Sequence, residues 1–246
     1  QANQRFGRLS GGQKQRLLFA LALAGKHIVL SADGQPATLA LAASHCDWQA
    51  NQHFNCPTDA AAIITPAQLQ LRLSMQCCVS FFTSGSSGTP KLISKTLSQL
   101  MREVQTLQQQ FATQLQSATL VAGTVSGQHI YGLLFRVLWP LCAGRPFVRR
   151  QLAFSEDLQR ASREYPAFAW VASPALLKRM GDNLDWQALG RVRRVFSSGG
   201  ALPAETAAEL QSLLGQWPTE IYGSSETGGI AWRQGGELWK PFAGVE

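Results

Sequence analysis

Thr83, Ser84, Gly85, Ser86, Ser87, Gly88, Thr89, Pro90 and Lys91 form a run of hydroxyls and glycines that ends on a cation. Glycine allows close backbone approach, hydroxyls donate hydrogen bonds and a terminal lysine adds positive charge, which together are the needs of a polyphosphate cradle. A Ser/Gly-rich linker has the same composition. The run, however, follows directly on the apolar strand pattern Val79-Ser80-Phe81-Phe82, where linkers seldom begin. Far downstream, Glu220-Ile221-Tyr222 runs into Gly223, Ser224, Ser225, Glu226, Thr227, Gly228 and Gly229. A carboxylate flanked by hydroxyls at a strand end suits Mg²⁺, which takes one or two carboxylates and completes its shell with phosphate oxygens. A glycine-rich turn with a solvated glutamate is the plainer alternative. A third segment, Ser197 to Pro203, contains Ser198, Gly199, Gly200 and Ala201 and could let an aromatic ring approach the backbone.

These segments need a frame that brings them together. Ile28 to Leu30, Val79 to Phe82, Thr119 to Val125, Phe168 to Ala172, Val192 to Ser197 and Glu220 to Tyr222 read as short strands. Between them, Leu97, Leu100, Met101, Val104, Leu107, Phe111 and Leu115 keep the spacing of one helical face. Thr96 followed by Gln99 resembles a capping box at its start. Ser173 to Met180 and Pro203 to Leu214 are further helices, each with proline in its first turn. Alternation of strand and helix predicts an α/β fold of mostly parallel sheets covered by helices. Such sheets bind ligands at the carboxyl ends of their strands.

Hydrophobic residues are 45% of the 246, enough for a sizeable core and too many for a disordered chain. A net charge of +7 favours anionic partners. The basic residues fall in small groups, Arg149 with Arg150 and Arg191 with Arg193 and Arg194, and not in a stripe interleaved with aromatics, so no nucleic-acid partner is expected. Five cysteines (Cys46, Cys56, Cys77, Cys78, Cys142) contain no C-x-x-C pair. Their odd number points to reduced thiols filling a core, and hence to the cytoplasm. The longest apolar run, Leu17 to Ala24, is far short of the roughly 20 residues of a membrane span, although with Arg5, Arg8, Lys14 and Arg16 before it the run imitates a secretory signal. Leu9-Ser10-Gly11-Gly12-Gln13-Lys14-Gln15-Arg16 reads like the signature of ABC-type ATPases, but Gly34 stands where the catalytic glutamate belongs and no G-x-x-x-x-G-K-[ST] loop is present.

Taken in order, the motifs resemble those of the adenylate-forming superfamily of acyl-CoA synthetases, luciferases and peptide-synthetase adenylation domains. Thr83 to Lys91 is similar to its phosphate loop, Ser198 to Ala201 to its adenine-facing loop, and Tyr222 to Glu226 to its Tyr-Gly-x-Thr-Glu motif, with Ser225 in place of threonine. His129-Ile130-Tyr131-Gly132 is a looser match to its His-containing element beside the carboxylate pocket. The resemblance implies ATP-dependent activation of a small carboxylic acid to an acyl-adenylate, then transfer to the thiol of CoA or of an acyl carrier protein's phosphopantetheine. It implies that Thr83 to Gly88 grip the β- and γ-phosphates, that Lys91 offsets leaving-group charge, and that Ser225 binds the α-phosphate. Glu226, with Thr83, would hold Mg²⁺. Tyr222, Gly223 and Ser224 with Ser198 to Ala201 would bracket AMP, and His129 would border the acyl carboxylate. Trp139, Trp170 and Ser173-Pro174 fall where the family builds its acyl pocket. A ribose-binding Thr-Gly-Asp motif and a C-terminal domain with a catalytic lysine would follow Glu246, so residues 1–246 are expected to be an incomplete AMP-binding domain. A nucleotide- or acyl-binding module without turnover is the alternative, and an ABC-type ATPase fragment the third.

Overall fold

The structure, a computed structural model, describes residues 28–30, 48–49, 78–83, 91–116, 118–148, 150–181 and 184–245. Leu9 to Arg16, Leu17 to Ala24, Cys46, Cys56, Cys77, Ser84 to Pro90 and Arg149 lie outside them. The chain divides into two units, residues 1–101 and 102–246.

In the first unit, β1 (Ile28–Leu30), β2 (Trp48–Gln49), β3 (Cys78–Thr83) and β4 (Lys91–Thr96) form a sheet in the order β2-β1-β3-β4. β1 is parallel to β2 and β3. β4 runs antiparallel to β3 and pairs Lys91 with Thr83. The sequence expectation lacked this strand. Lys91-Leu-Ile-Ser-Lys-Thr carries a lysine near each end and alternates weakly, and its register comes from β3, including a 2.7 Å contact between the Ser80 and Ser94 hydroxyls. Helix α1 (Leu97–Phe111) follows at once. Its capping box forms as read: the Thr96 N–H donates to Gln99 Oε1 at 2.8 Å and the Gln99 N–H to Thr96 Oγ1 at 3.2 Å. Leu115 lies past the helix end yet remains buried.

The second unit is built on a six-stranded sheet, β10-β9-β8-β7-β6-β5, made of β5 (Leu120–Gly123), β6 (Phe168–Ala172), β7 (Val192–Ser197), β8 (Thr219–Ser224), β9 (Gly228–Gln234) and β10 (Lys240–Pro241). β5 to β8 are mutually parallel, and β9 and β10 add antiparallel edges. The expected fold class is therefore the observed one. β5 is shorter than Thr119 to Val125, although the Thr124 N–H still donates to the Val171 carbonyl at 2.9 Å.

Side-chain alternation divides the buried residues between the faces. Phe168, Trp170, Ala172 and Val195 pack with Leu158 of α4 (Ser155–Arg163), Leu176 and Leu177 of α5 (Pro174–Leu177), Leu189 of α6 (Trp186–Leu189), and Ala207 and Leu210 of α7 (Ala204–Leu214). Ser173 caps α5, and the helix expected to reach Met180 stops after this single turn. Opposite, Phe196 meets Phe111 at 5.2 Å, Phe135 at 5.1 Å and Trp139 at 5.8 Å between ring centres, in the edge-on and tilted geometries aromatic pairs prefer. Phe111 comes from α1, and beyond α2 (Ile130–Gly132) a π-helical turn (Leu133–Leu138) supplies Phe135 and α3 (Trp139–Cys142) supplies Trp139. Trp139 and Trp170 are thus core residues: each is almost wholly buried, and the Trp170 indole N–H donates to Ser162 Oγ at 2.9 Å. Cys142 departs from the core-filler expectation, since it is exposed at the end of α3.

Candidate functional site

A cavity of about 740 Å³ opens in the second unit. Val125 and Ser173, just beyond β5 and β6, line it with Ser198 and Gly199 beyond β7, and Gly223 to Ser225 continue the wall at the end of β8. This is the carboxyl-end location expected of a parallel sheet. α1 contributes Glu103 and Leu107, and the α2 segment contributes His129, Ile130 and Tyr131.

Each wall is held by groups behind it. The Ser198 hydroxyl donates to the Ile221 carbonyl at 2.9 Å, fastening the start of the glycine loop to β8. Gly199 has φ +89°, and a Cβ there would meet nothing within 4 Å, so glycine is required by the backbone while the space above it stays open. The loop ends where the Leu202 N–H donates to Glu220 Oε2 at 3.3 Å. The other oxygen of Glu220, a buried carboxylate, accepts from Arg233 Nε at 2.8 Å. Arg233 lies over the Trp239 ring at 4.5 Å, and Trp239 packs on Tyr222 with ring centres 5.5 Å apart. One chain of contacts thus joins the glycine loop to Tyr222.

On the other side, the buried Arg136 guanidinium donates to the Val125 carbonyl and, at 2.8 Å, to that of Arg150, and Gln151 Nε2 donates to the Thr124 carbonyl at 2.6 Å. Burial pulls the Arg136 pKa down to about 10, which leaves it charged at neutral pH. His129 follows this clamped stretch as an exposed residue preceding α2, and its carbonyl accepts the Leu133 N–H at 2.8 Å. Burial pushes the Tyr131 phenol well above its ordinary pKa, the Ala172 backbone offsetting only part of that rise.

Of the residues singled out from sequence, His129, Ser198, Gly199, Gly223, Ser224 and Ser225 share the cavity wall. Gly200 and Ala201 are exposed beyond it, Tyr222 is 57% exposed beside Trp239, and Glu226 is exposed on the turn between β8 and β9. Lys91 is exposed at the start of β4 and Thr83 ends β3, both in the first unit. The residues the sequence reading missed are supports: Glu103, Arg136, Glu220, Arg233 and Trp239. Only the Glu220 carboxylate, one residue into a strand whose first three residues are buried, carried a signal.

The arrangement suits a nucleotide. Open backbone at Gly199 admits a flat ring, and the Ser225 hydroxyl and the Glu226 carboxylate are hard oxygen donors of the kind Mg²⁺ takes together with phosphate oxygens. No cluster of three or more His, Cys, Asp or Glu side chains occurs among the described residues.

A sequence model of the AMP-binding enzyme family matches residues 14–245. The chain belongs to the AMP-binding enzyme family. Among its relatives, 4-coumarate–CoA ligase of Rhodobacter capsulatus is 33% identical over 159 residues, which are 63% of this chain and 39% of the relative. The 4-coumarate–CoA ligase of Cereibacter sphaeroides is 32% identical over 157 residues, 63% of this chain and 37% of the relative. The chain therefore spans well under half the length of the curated relatives it matches. A malonyl-CoA ligase solved with methylmalonyl-CoA and AMP shares the fold with a TM-score of 0.61 at 22% identity, over 70% of this chain and 40% of that one.

Proposed function

We propose that this AMP-binding chain provides the nucleotide- and acid-binding part of an AMP-forming acid–thiol ligase. In the reaction, a carboxylate oxygen attacks the α-phosphorus of ATP, the bond to the β-phosphate breaks and pyrophosphate leaves, giving an acyl-adenylate. A thiol, from CoA or from the phosphopantetheine of a carrier protein, then displaces AMP and forms the thioester. Two anions meet in the first half, so the site must neutralise charge and hold the reactants in line.

Family membership and one observation support the reading: the same cavity is lined by His129, by Ser198 and Gly199, and by Gly223 to Ser225. The assigned roles are adenine between Tyr222 and the Gly199 to Ala201 backbone, the α-phosphate at Ser225 and the acid's carboxylate at His129. Thr83 to Gly88 and Lys91 serve the β- and γ-phosphates. Glu226 and Thr83 are the residues that would hold Mg²⁺, which supplies charge neutralisation on the phosphates. Apolar side chains at Ile130, Tyr131, Leu134 and Phe135 favour an acid with an apolar or aromatic body, and the names of the curated relatives agree with an aryl acid.

The test is ATP–pyrophosphate exchange with cinnamates, benzoates, medium-chain fatty acids and malonate. It is run on this chain alone and joined to the remaining residues of the Rhodobacter capsulatus relative. Mg²⁺-dependent exchange in the joined protein, greater with aryl acids than with malonate, is the expected result. AMP binding with no exchange for any acid would instead mark a nucleotide-binding module without turnover.

A further inference from the structure

Glu103, which the roles above leave unused, sits on α1 against the turn that carries Ser225 and Glu226. Its Oε2 accepts the Gly229 N–H at 3.0 Å, and Glu103 also lines the cavity. Gly228 has φ +78°, a backbone conformation that side chains rarely adopt, and a Cβ there would fall within 2.6 Å of the Glu103 Cδ and Oε2, so the Glu103 carboxylate would have to move from Gly229 to make room. The carboxylate thus occupies the volume that a side chain at 228 would need.

The hairpin ladder alone does not aim this turn. β8 and β9 pair Tyr222 with Ala231 but Gly223 with Gly229, so Ile230 is an extra residue and the register slips just before the tip. Such a bulge bends and re-aims the strand that contains it. Within the tip, Ser224 and Thr227 close on each other: the Ser224 N–H donates to Thr227 Oγ1 at 3.0 Å and the Thr227 N–H to Ser224 Oγ at 3.2 Å. These bonds fix the shape of the tip and leave its direction to what holds Gly228 and Gly229. The Phe242 ring, 3.2 Å from where a Gly229 Cβ would be, backs one side, and Glu103 holds the other through its hydrogen bond to the Gly229 N–H.

We propose that Glu103 is a positioning residue for the phosphate end of the nucleotide: by binding the Gly229 N–H it sets the direction of the turn and so holds Ser225 on the cavity wall, and it acts through its acceptor oxygen at that reach, not through its charge. The proposal rests on the ligase reading above. Small displacements of such groups are expensive, since a shift of about 1 Å can cost about 10²-fold in rate.

The test is calorimetric titration of this chain with adenosine, AMP and MgATP, with thermal unfolding recorded for each variant. Glu103→Asp keeps the charge but is one methylene too short, and Glu103→Gln keeps an acceptor oxygen at full reach. Expected are a tenfold or greater loss of AMP and MgATP affinity in Glu103→Asp and Glu103→Ala, with adenosine affinity within twofold of wild type. Glu103→Gln should restore AMP affinity to within threefold. If Gln is as weak as Ala while Asp binds normally, charge and not reach is what matters, and the proposal is overturned. It is equally overturned if Ala and Asp bind AMP like wild type. Should wild type itself bind AMP and MgATP no better than adenosine, the ligase reading falls and takes the proposal with it.

Discussion

β5 and β6 are buried along their whole length, whereas β8 is buried only as far as Ile221 and β10 is exposed. These strands share one sheet, and the difference follows from what covers them. Over the parallel half, helices pack on Phe168, Trp170 and Val195, and β5 and β6 are continuous apolar runs, as buried parallel strands are. The antiparallel half supplies hydroxyls, glycines and one carboxylate from a turn where backbone stays reachable. Burial is thereby concentrated in the parallel strands, while the loops at their carboxyl ends and the β8–β9 turn line the cavity, and substitutions should separate the two.

The largest effect is expected from Trp170→Ala. It empties a fully buried site and removes the donor to Ser162, at a cost of about 3–5 kcal/mol. At about 2–4 °C per kcal/mol for a chain of this size, the Tm should fall on the order of 10 °C in a thermal melt. An unchanged Tm would break the assignment of stability to the parallel half. Next in size, Glu226→Gln should weaken MgATP binding by about tenfold or more, because a charge-assisted contact contributes about 1.5–3 kcal/mol, with the Tm held within a degree or two. A large Tm loss with MgATP affinity intact would make Glu226 structural.

The smallest effect concerns Asp185, which caps α6 on the parallel half. The Ala188 N–H foremost, with the Arg163 guanidinium, holds its carboxyl below the usual range against the opposing effect of desolvation. A depressed carboxylate pKa stabilises the fold above the unfolded-state value, about 3.9, and that contribution is lost as pH falls through the folded value. Asp185→Ala should therefore melt slightly below wild type at pH 7, and the gap should close as pH drops below about 4. A gap that widens in acid would contradict this assignment.

Sequence made β6 legible because Phe168 to Ala172 is an apolar run, and α1 because the Thr96–Gln99 capping box is local; Val192 to Ser197 reads as a strand through its β-branched and aromatic residues despite Arg193 and Arg194. The edges were harder to read. In β9, Gly228-Gly229 carries the letters of a loop, and only its pairing with β8 and the seating of Phe242 make it a strand. Site glycines and hydroxyls could be found by type and order, whereas their supports could not. Glu103, Arg136 and Arg233 look like ordinary surface charges until distant segments meet them.

The Glu103–Gly229 bond joins residues 126 positions apart. Bringing the ends of so long a segment together in an unfolded chain carries an entropy cost of roughly 4 kcal/mol beyond a constant. Any ligand that contacts both α1 and the β8–β9 turn therefore acts as a reversible cross-link, favouring the folded chain by mass action. At about a hundred times its Kd that gain is about 2.7 kcal/mol, more than half of the length-dependent part of the closure cost.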